Sequence, residues 1–194
     1  MVPMSVEEIA KAVDGRLVAG DGPAIEATET VTDSRQAGSG AVFVAIKGER
    51  VDGHDFVDKV ADQGAAAAIV DHEVACTTMP QIVVEDTVAA LGLLAKHNID
   101  RRRQLPGAFD LIGLTGSVGK TTTKDLLSAL LSTLGPTVAP IGSFNNEIGL
   151  PLTALRVNAD TRFFVAEMGA NHIGEIARLT RIAPPNTVIV LRVG

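Results

Sequence analysis

Short apolar runs alternate with amphipathic stretches along most of the chain, and the two patterns predict strands and helices in turn. Residues 5–13 predict a helix: Ser5 suits the N-cap, Glu8 completes a capping box, and Ile9, Ala10 and Val13 share one face before Gly15. Residues 17–19 and 24–31 predict strands separated by the turn Gly20-Asp21-Gly22-Pro23, and 41–46 (AVFVAI) predicts another. A helix over 56–63, strands over 65–70 and 81–84, and a helix over 87–99 follow, the last with Val88, Leu91, Leu94 and Ala95 in register. Arg101-Arg102-Arg103 then runs into Pro106-Gly107, which reads as a solvated linker between a domain at 1–106 and another at 107–194.

The second part repeats the rhythm. Residues 109–114 form an apolar run suited to a strand buried on both faces. Residues 120–134 place Leu126, Leu127, Leu130, Leu131 and Leu134 in one stripe at helical period, stopped by Gly135-Pro136. Strands over 137–140, 161–168 and 187–193 and helices over 152–155 and 173–181 complete it. The fold class is α/β throughout: a small N-terminal α/β domain, then a parallel sheet flanked by helices with right-handed crossovers.

Composition narrows the function. With 194 residues, 46% hydrophobic and 21% charged, the chain has the make-up of a soluble globular protein. A net charge of −6 and a pI near 5.2 argue against nucleic acid or an anionic membrane as partner. Trp and Tyr are absent, so no aromatic platform for stacked bases is expected. The single cysteine, Cys76, excludes an intrachain disulfide and a cysteine zinc cluster and reads as filler in a loop or strand edge. No signal peptide and no run long enough to span a bilayer is seen, which predicts a cytoplasmic protein. His72 and His97 have no partner at ligand spacing and read as surface or satisfied polar groups.

The chemistry concentrates where the strand at 109–114 meets the helix at 120. Gly116-Ser117-Val118-Gly119-Lys120-Thr121-Thr122 supplies a glycine turn, a lysine and two hydroxyls at a helix start. Such a turn brings backbone N–H groups and the positive helix end to an anion; Lys120 meets the outer phosphates and the Thr121 hydroxyl suits Mg²⁺. The spacing is the short form Gly-x-x-Gly-Lys-Thr, because Leu114 stands where the full motif has its first glycine. The other reading is a glycine turn with a surface lysine. Glu167 ends a strand on the same predicted rim, as a Mg²⁺ ligand or as a cap for the next segment. Asn145 and Asn146 stand in a stretch without amphipathic period, either orienting a polar ligand or capping the following helix. Ser34 and Arg35 end a predicted strand near the loop after 46, as a phosphate-binding pair or as solvated hairpin ends with Arg35 in a surface ion pair.

Together these segments resemble the Mur ligases of bacterial cell-wall synthesis. The resemblance runs over the whole chain, through TDSR at 32–35, AVFVAIKGERVDGHDF at 41–56, TGSVGKTTTK at 115–124, FNNEIGLPLTAL at 144–155 and EMGANHIGEI at 167–176. The last two segments are similar to the family branch that adds D-Ala-D-Ala. The resemblance implies an N-terminal uridine-nucleotide domain and an incomplete parallel-sheet, P-loop-like central ATP-binding domain, whose missing strands leave an edge and apolar surface open to self-association. It implies ATP phosphates on Lys120 and the 116–122 loop, Mg²⁺ on Thr121 and Glu167, and Asn145 and Asn146 beside the nucleotide or acyl phosphate. It implies a UDP-MurNAc-tripeptide site lined by Ser34, Arg35, Lys47, Gly48, Asp52, Gly53 and His54. It also implies an ATP-dependent amide ligase whose full-length members are mostly monomeric. Family members are more than twice as long and commonly carry a small polar residue where Arg192 stands, so the chain is expected to be a truncated portion, inactive alone. A UDP-substrate or partner-binding module without catalysis, and an unrelated P-loop NTPase, are the competing readings.

Overall fold

The structure, a computed structural model, describes residues 1–18, 20, 25–75 and 78–192. Cys76, most of the turn expected at 20–23 and the ends of three expected strands (Ala19, Ala24 and Val193) lie outside the described residues, as does Gly194. Two compact units divide between Leu94 and Ala95, with Val2 grouped with the second.

The first unit begins with α1 (Val6–Ala12), where Ser5 Oγ accepts the Glu8 N–H at 3.2 Å, the N-cap bond that the sequence predicts. A five-stranded sheet follows. Its strands are β1 (Arg16–Val18), β2 (Glu29–Val31), β3 (Ala41–Val44), β4 (Ala67–Val70) and β5 (Gln81–Val83), in the order β1-β5-β4-β3-β2. β2 to β5 are parallel, and only β1 runs antiparallel. β1 and β2, consecutive in sequence, stand at opposite edges of the sheet. Their apolar pattern is compatible with either edge, and pairing with β5 rather than β2 is settled by the sheet as a whole. A 3₁₀ turn (Gly53–Phe56) leads into α2 (Val57–Asp62), whose Val57 and Val60 pack with Phe43, Ala68 and Val70 in a continuous core.

α3 (Thr87–Gln104) is longer than the expected helix and absorbs the arginine run. Arg102 is no solvated linker residue. It is 2% exposed, donates from Nε to the Thr161 carbonyl at 2.9 Å and from Nη2 to the Ala108 carbonyl at 3.1 Å, and lies over the Phe109 ring. A guanidinium can satisfy two loop carbonyls at once while its stem packs against apolar atoms, which composition alone does not reveal.

The second unit is built on the parallel sheet β7-β8-β6-β9. β6 is Asp110–Thr115, β7 Thr137–Val138, β8 Phe163–Glu167 and β9 Thr187–Val190. Leu111, Leu114 and Phe164 are fully buried, each worth about 1.5–3 kcal/mol of apolar transfer. The helices are α4 (Lys120–Ser132), α5 (Gly149–Ala154) and α6 (Glu175–Ile182). The predicted leucine stripe at 126–134 is only partly covered: Leu127 and Leu131 are half-buried, while Leu126, Leu130 and Leu134 are exposed. Periodicity marks which residues share a face but not whether a second layer covers it. Val188 and Val190 on edge strand β9 are likewise exposed.

The chain leaves β6 towards β7, returns to β8 beside β6, then crosses to β9 on the far side. The carboxyl ends of β6 and β8 therefore border the point where the direction of connection reverses, which is where open parallel sheets hold ligands.

Candidate functional site

Three loops of the second unit meet at those strand ends. The first follows β6. Gly116 has φ +143°, and a Cβ there would stand 2.7 Å from Leu191 Cβ, so the bend excludes any side chain. Gly119, at φ +87°, opens α4. Lys120 Nζ donates to the Gly116 carbonyl at 2.6 Å, folding the lysine back over its own loop. Ser117, Val118, Gly119, Thr121 and Thr122 are exposed, which leaves the loop accessible to an anion.

The second loop splits the two asparagines. Asn146 Oδ1 accepts the N–H groups of Ile148 (3.2 Å) and Gly149 (2.8 Å), so it caps α5. Asn145 Nδ2 instead donates to Glu167 Oε1 at 2.8 Å. Lys124, buried in α4, holds the start of this loop by donating to the carbonyls of Pro140 and Gly142.

The third loop follows β8. Glu167 is 1% exposed, and its second oxygen, Oε2, is buried without a hydrogen-bond partner. Capping of the next segment falls to Glu175, whose Oε2 accepts the N–H groups of Asn171 (2.7 Å) and His172 (3.2 Å). Those bonds hold the Glu175 carboxyl below its ordinary pKa. Gly169 is required by close approach, since a Cβ there would meet the Asn145 amide at 2.7 Å. A cavity of about 330 Å³ lies between the loops, lined by Lys120, Asn145, Asn146, Asn171, Glu175 and Arg178 among others. Arg178, paired with Glu147 at 2.6 Å, and Glu175 were not singled out in the sequence; both lie on α6 one turn apart, and only the fold turns them towards Lys120.

Two domain models of one family match the chain in succession: "Mur ligase family, catalytic domain" over residues 27–99 and "Mur ligase middle domain" over 114–194. The chain belongs to the Mur ligase family. Among relatives in the family, the UDP-N-acetylmuramoyl-tripeptide–D-alanyl-D-alanine ligase of Mycobacterium tuberculosis strain H37Rv is 40% identical, over the whole of this chain and 42% of its own length. A crystal structure of MurF from Acinetobacter baumannii superposes with a TM-score of 0.88 at 38% identity, covering 99% of this chain and 41% of that one. The MurF ligase of Thermotoga maritima in complex with ADP gives 0.74 at 37% identity, covering 86% and 38%. The chain thus spans about two fifths of the length of these Mur ligases.

In the first unit, Ser34, Arg35, Gly48 and Gly53 border one cavity of about 510 Å³, together with Phe43 and Lys59. Lys59 is a further residue that the sequence did not single out. Arg35 is drawn onto Asp33, with Nη2 2.6 Å from Oδ2, and this bonding holds the Asp33 carboxyl down to about 2. Lys47, Asp52 and His54 do not line this cavity among the residues bordering it. Lys47 and Asp52 pair across the loop as an isolated bridge. His54 is 5% exposed and committed to protein partners: Nδ1 donates to Asp52 Oδ1 at 2.6 Å and Nε2 accepts the Asp71 N–H at 3.1 Å. Among the described residues no helix is long and apolar enough to cross a membrane.

Proposed function

We propose that this chain carries the nucleotide-handling portions of a ligase that joins D-Ala-D-Ala to UDP-MurNAc-tripeptide at the expense of ATP. The observation that carries it is the orphaned Glu167 Oε2 at the strand end beside the Gly116–Lys120 turn. A buried carboxylate oxygen without a partner is costly unless a cation meets it. Carboxylate and hydroxyl oxygens are the donors Mg²⁺ takes, so Glu167 and Thr121 fit that ion. Bound there, Mg²⁺ would neutralise charge on the ATP phosphates.

Lys120, released from the Gly116 carbonyl, would meet the outer phosphates, with the exposed 116–122 loop around them. Asn145 would hold Glu167 in place, and Asn146 would border the nucleotide from the cap of α5. In the family reaction the terminal carboxylate of the tripeptide takes the γ-phosphoryl group and ADP leaves. The amine of D-Ala-D-Ala then attacks the acyl carbon, the amide forms, and phosphate and a proton are released. The portion 1–106 would bind the UDP-sugar-peptide through Ser34, Arg35, Gly48 and Gly53, and 107–194 would bind ATP. Lys47, Asp52 and His54 would shape that loop. The reactants are soluble, so the reading places the protein in the cytoplasm without nucleic-acid or membrane partners.

Calorimetry with UDP-MurNAc-tripeptide and with MgATP tests the reading. Binding of both is expected. Binding of ATP alone favours an unrelated P-loop NTPase, binding of the UDP-peptide alone favours a module without catalysis, and binding of neither overturns the proposal.

A further inference from the structure

The fold brings His54 beside His72 and its sequence neighbour Asp71. His54 Nε2 lies 3.2 Å from Asp71 Oδ1, and His72 Nδ1 contacts the same oxygen. All three ligand atoms lie within 4.8 Å of one another. Ligands about 2.0–2.2 Å from a tetrahedral zinc stand roughly 3.3–3.5 Å apart; the His54–Asp71 spacing is close to that, and the tighter His72–Asp71 contact has to open. The two rings stack with centroids 4.5 Å apart.

We propose that His54 Nε2, Asp71 and His72 Nδ1 form a binding site for a divalent transition-metal ion of the zinc class. Three features support it. His54 is buried and its Nδ1–H is held by Asp52, which leaves the lone pair on Nε2, where it now accepts the Asp71 N–H; a carboxylate behind a ligating imidazole is the usual supporting arrangement. Asp71 supplies the charge that two neutral imidazoles lack. Asp71 and His72 are partly exposed, leaving coordination positions for water or an incoming ligand. Imidazole nitrogens select zinc, nickel or copper over magnesium, so the site is chemically distinct from the oxygen donors at Glu167. Binding costs the Asp71 N–H its bond to Nε2 and requires the exposed His72 ring to turn so that both lone pairs meet the ion.

The consequence is local. His54 follows Gly53, which borders the first-unit cavity, while Asp71 and His72 follow β4. An ion at this point ties the 47–54 loop to the end of a central strand.

Titration of the chain with Zn²⁺, and with Co²⁺ followed by visible absorption, in excess Mg²⁺ tests the site. One ion per chain with a histidine-ligated cobalt spectrum is expected, together with a rise in melting temperature. His72→Ala and Asp71→Asn, both at exposed positions, are expected to weaken Zn²⁺ binding at least about tenfold, judging by the losses seen when even supporting groups of metal sites are removed. Equal Zn²⁺ affinity in wild type and His72→Ala, or no uptake in excess Mg²⁺, overturns the proposal. Circular dichroism of each variant without metal separates misfolding from ligand loss; His97 and His172 remain in all variants as controls for adventitious uptake.

Discussion

Asn145 Nδ2 donates to one oxygen of Glu167 at 2.8 Å and leaves the other oxygen of that buried carboxylate without a partner. The amide fixes the orientation of the carboxylate, and the free oxygen is a place for a cation. Gly169 allows the contact, because any side chain there would occupy the position of the Asn145 amide. Glu167→Gln is expected to weaken MgATP binding at least about tenfold, a loss of about 1.4 kcal/mol or more, while binding of metal-free ATP changes little. Calorimetry with and without Mg²⁺ checks this. Equal loss in both conditions would place Glu167 outside the metal site.

Lys120 carries the second expectation. Among the described residues it hydrogen-bonds only to its own loop, so little stability depends on it. Lys120→Ala is expected to reduce ATP affinity by about 1.5–3 kcal/mol, the value of a charge-assisted hydrogen bond. The unfolding free energy from urea denaturation is expected to stay within about 0.5 kcal/mol of wild type. Unchanged ATP affinity would return the loop to a plain glycine turn.

Gly116→Ala tests the backbone instead of the charge. At φ +143°, with Leu191 Cβ 2.7 Å from the new methyl, the substitution is expected to destabilise the chain by about 1–3 kcal/mol. Chemical denaturation measures this directly. A stability equal to wild type would show that the turn tolerates a side chain and that its glycine is not set by space.

Arg102→Ala is expected to cost about 2–4 kcal/mol in the same measurement. It leaves the Thr161 and Ala108 carbonyls without their donor and opens space against Phe109. Arg101→Ala, next to it, serves as the comparison. If the two arginines cost the same small amount, the linker reading of 101–107 is restored.

The Asp33–Arg35 pair gives a pH prediction. Bonding to Arg35 depresses the Asp33 pKa to about 2 in the folded chain, below the ordinary carboxylate value. The stabilisation it brings is therefore present above the unfolded value, near 4, and is lost as pH falls through 2. The pair is exposed, so the effect on stability is small. NMR titration is expected to return the Asp33 midpoint to the ordinary range in Arg35→Ala; a midpoint that stays near 2 would assign the shift to another group.

Much of this protein was set by the order of residues alone. Strand, glycine turn and helix across 109–132 follow from an apolar run, two glycines and a helical period, all of them interactions within a few residues. The α/β class and the segments that mark a Mur ligase are legible for the same reason. What the sequence left open depends on groups far apart in the chain. It allowed Asn145 and Asn146 to orient a ligand or to cap a helix; the fold gives the cap to Asn146 and the Glu167 contact to Asn145. It grouped the α4 leucines but could not say that Leu126, Leu130 and Leu134 lie uncovered. It set Arg102 in solvent, where the fold buries it against Phe109, and it left His72 without a histidine partner, where the 3₁₀ turn brings His54 beside it and Asp71. Periodicity reports which residues share a face; what meets that face is decided only when strands from distant parts of the chain pair and their loops come together.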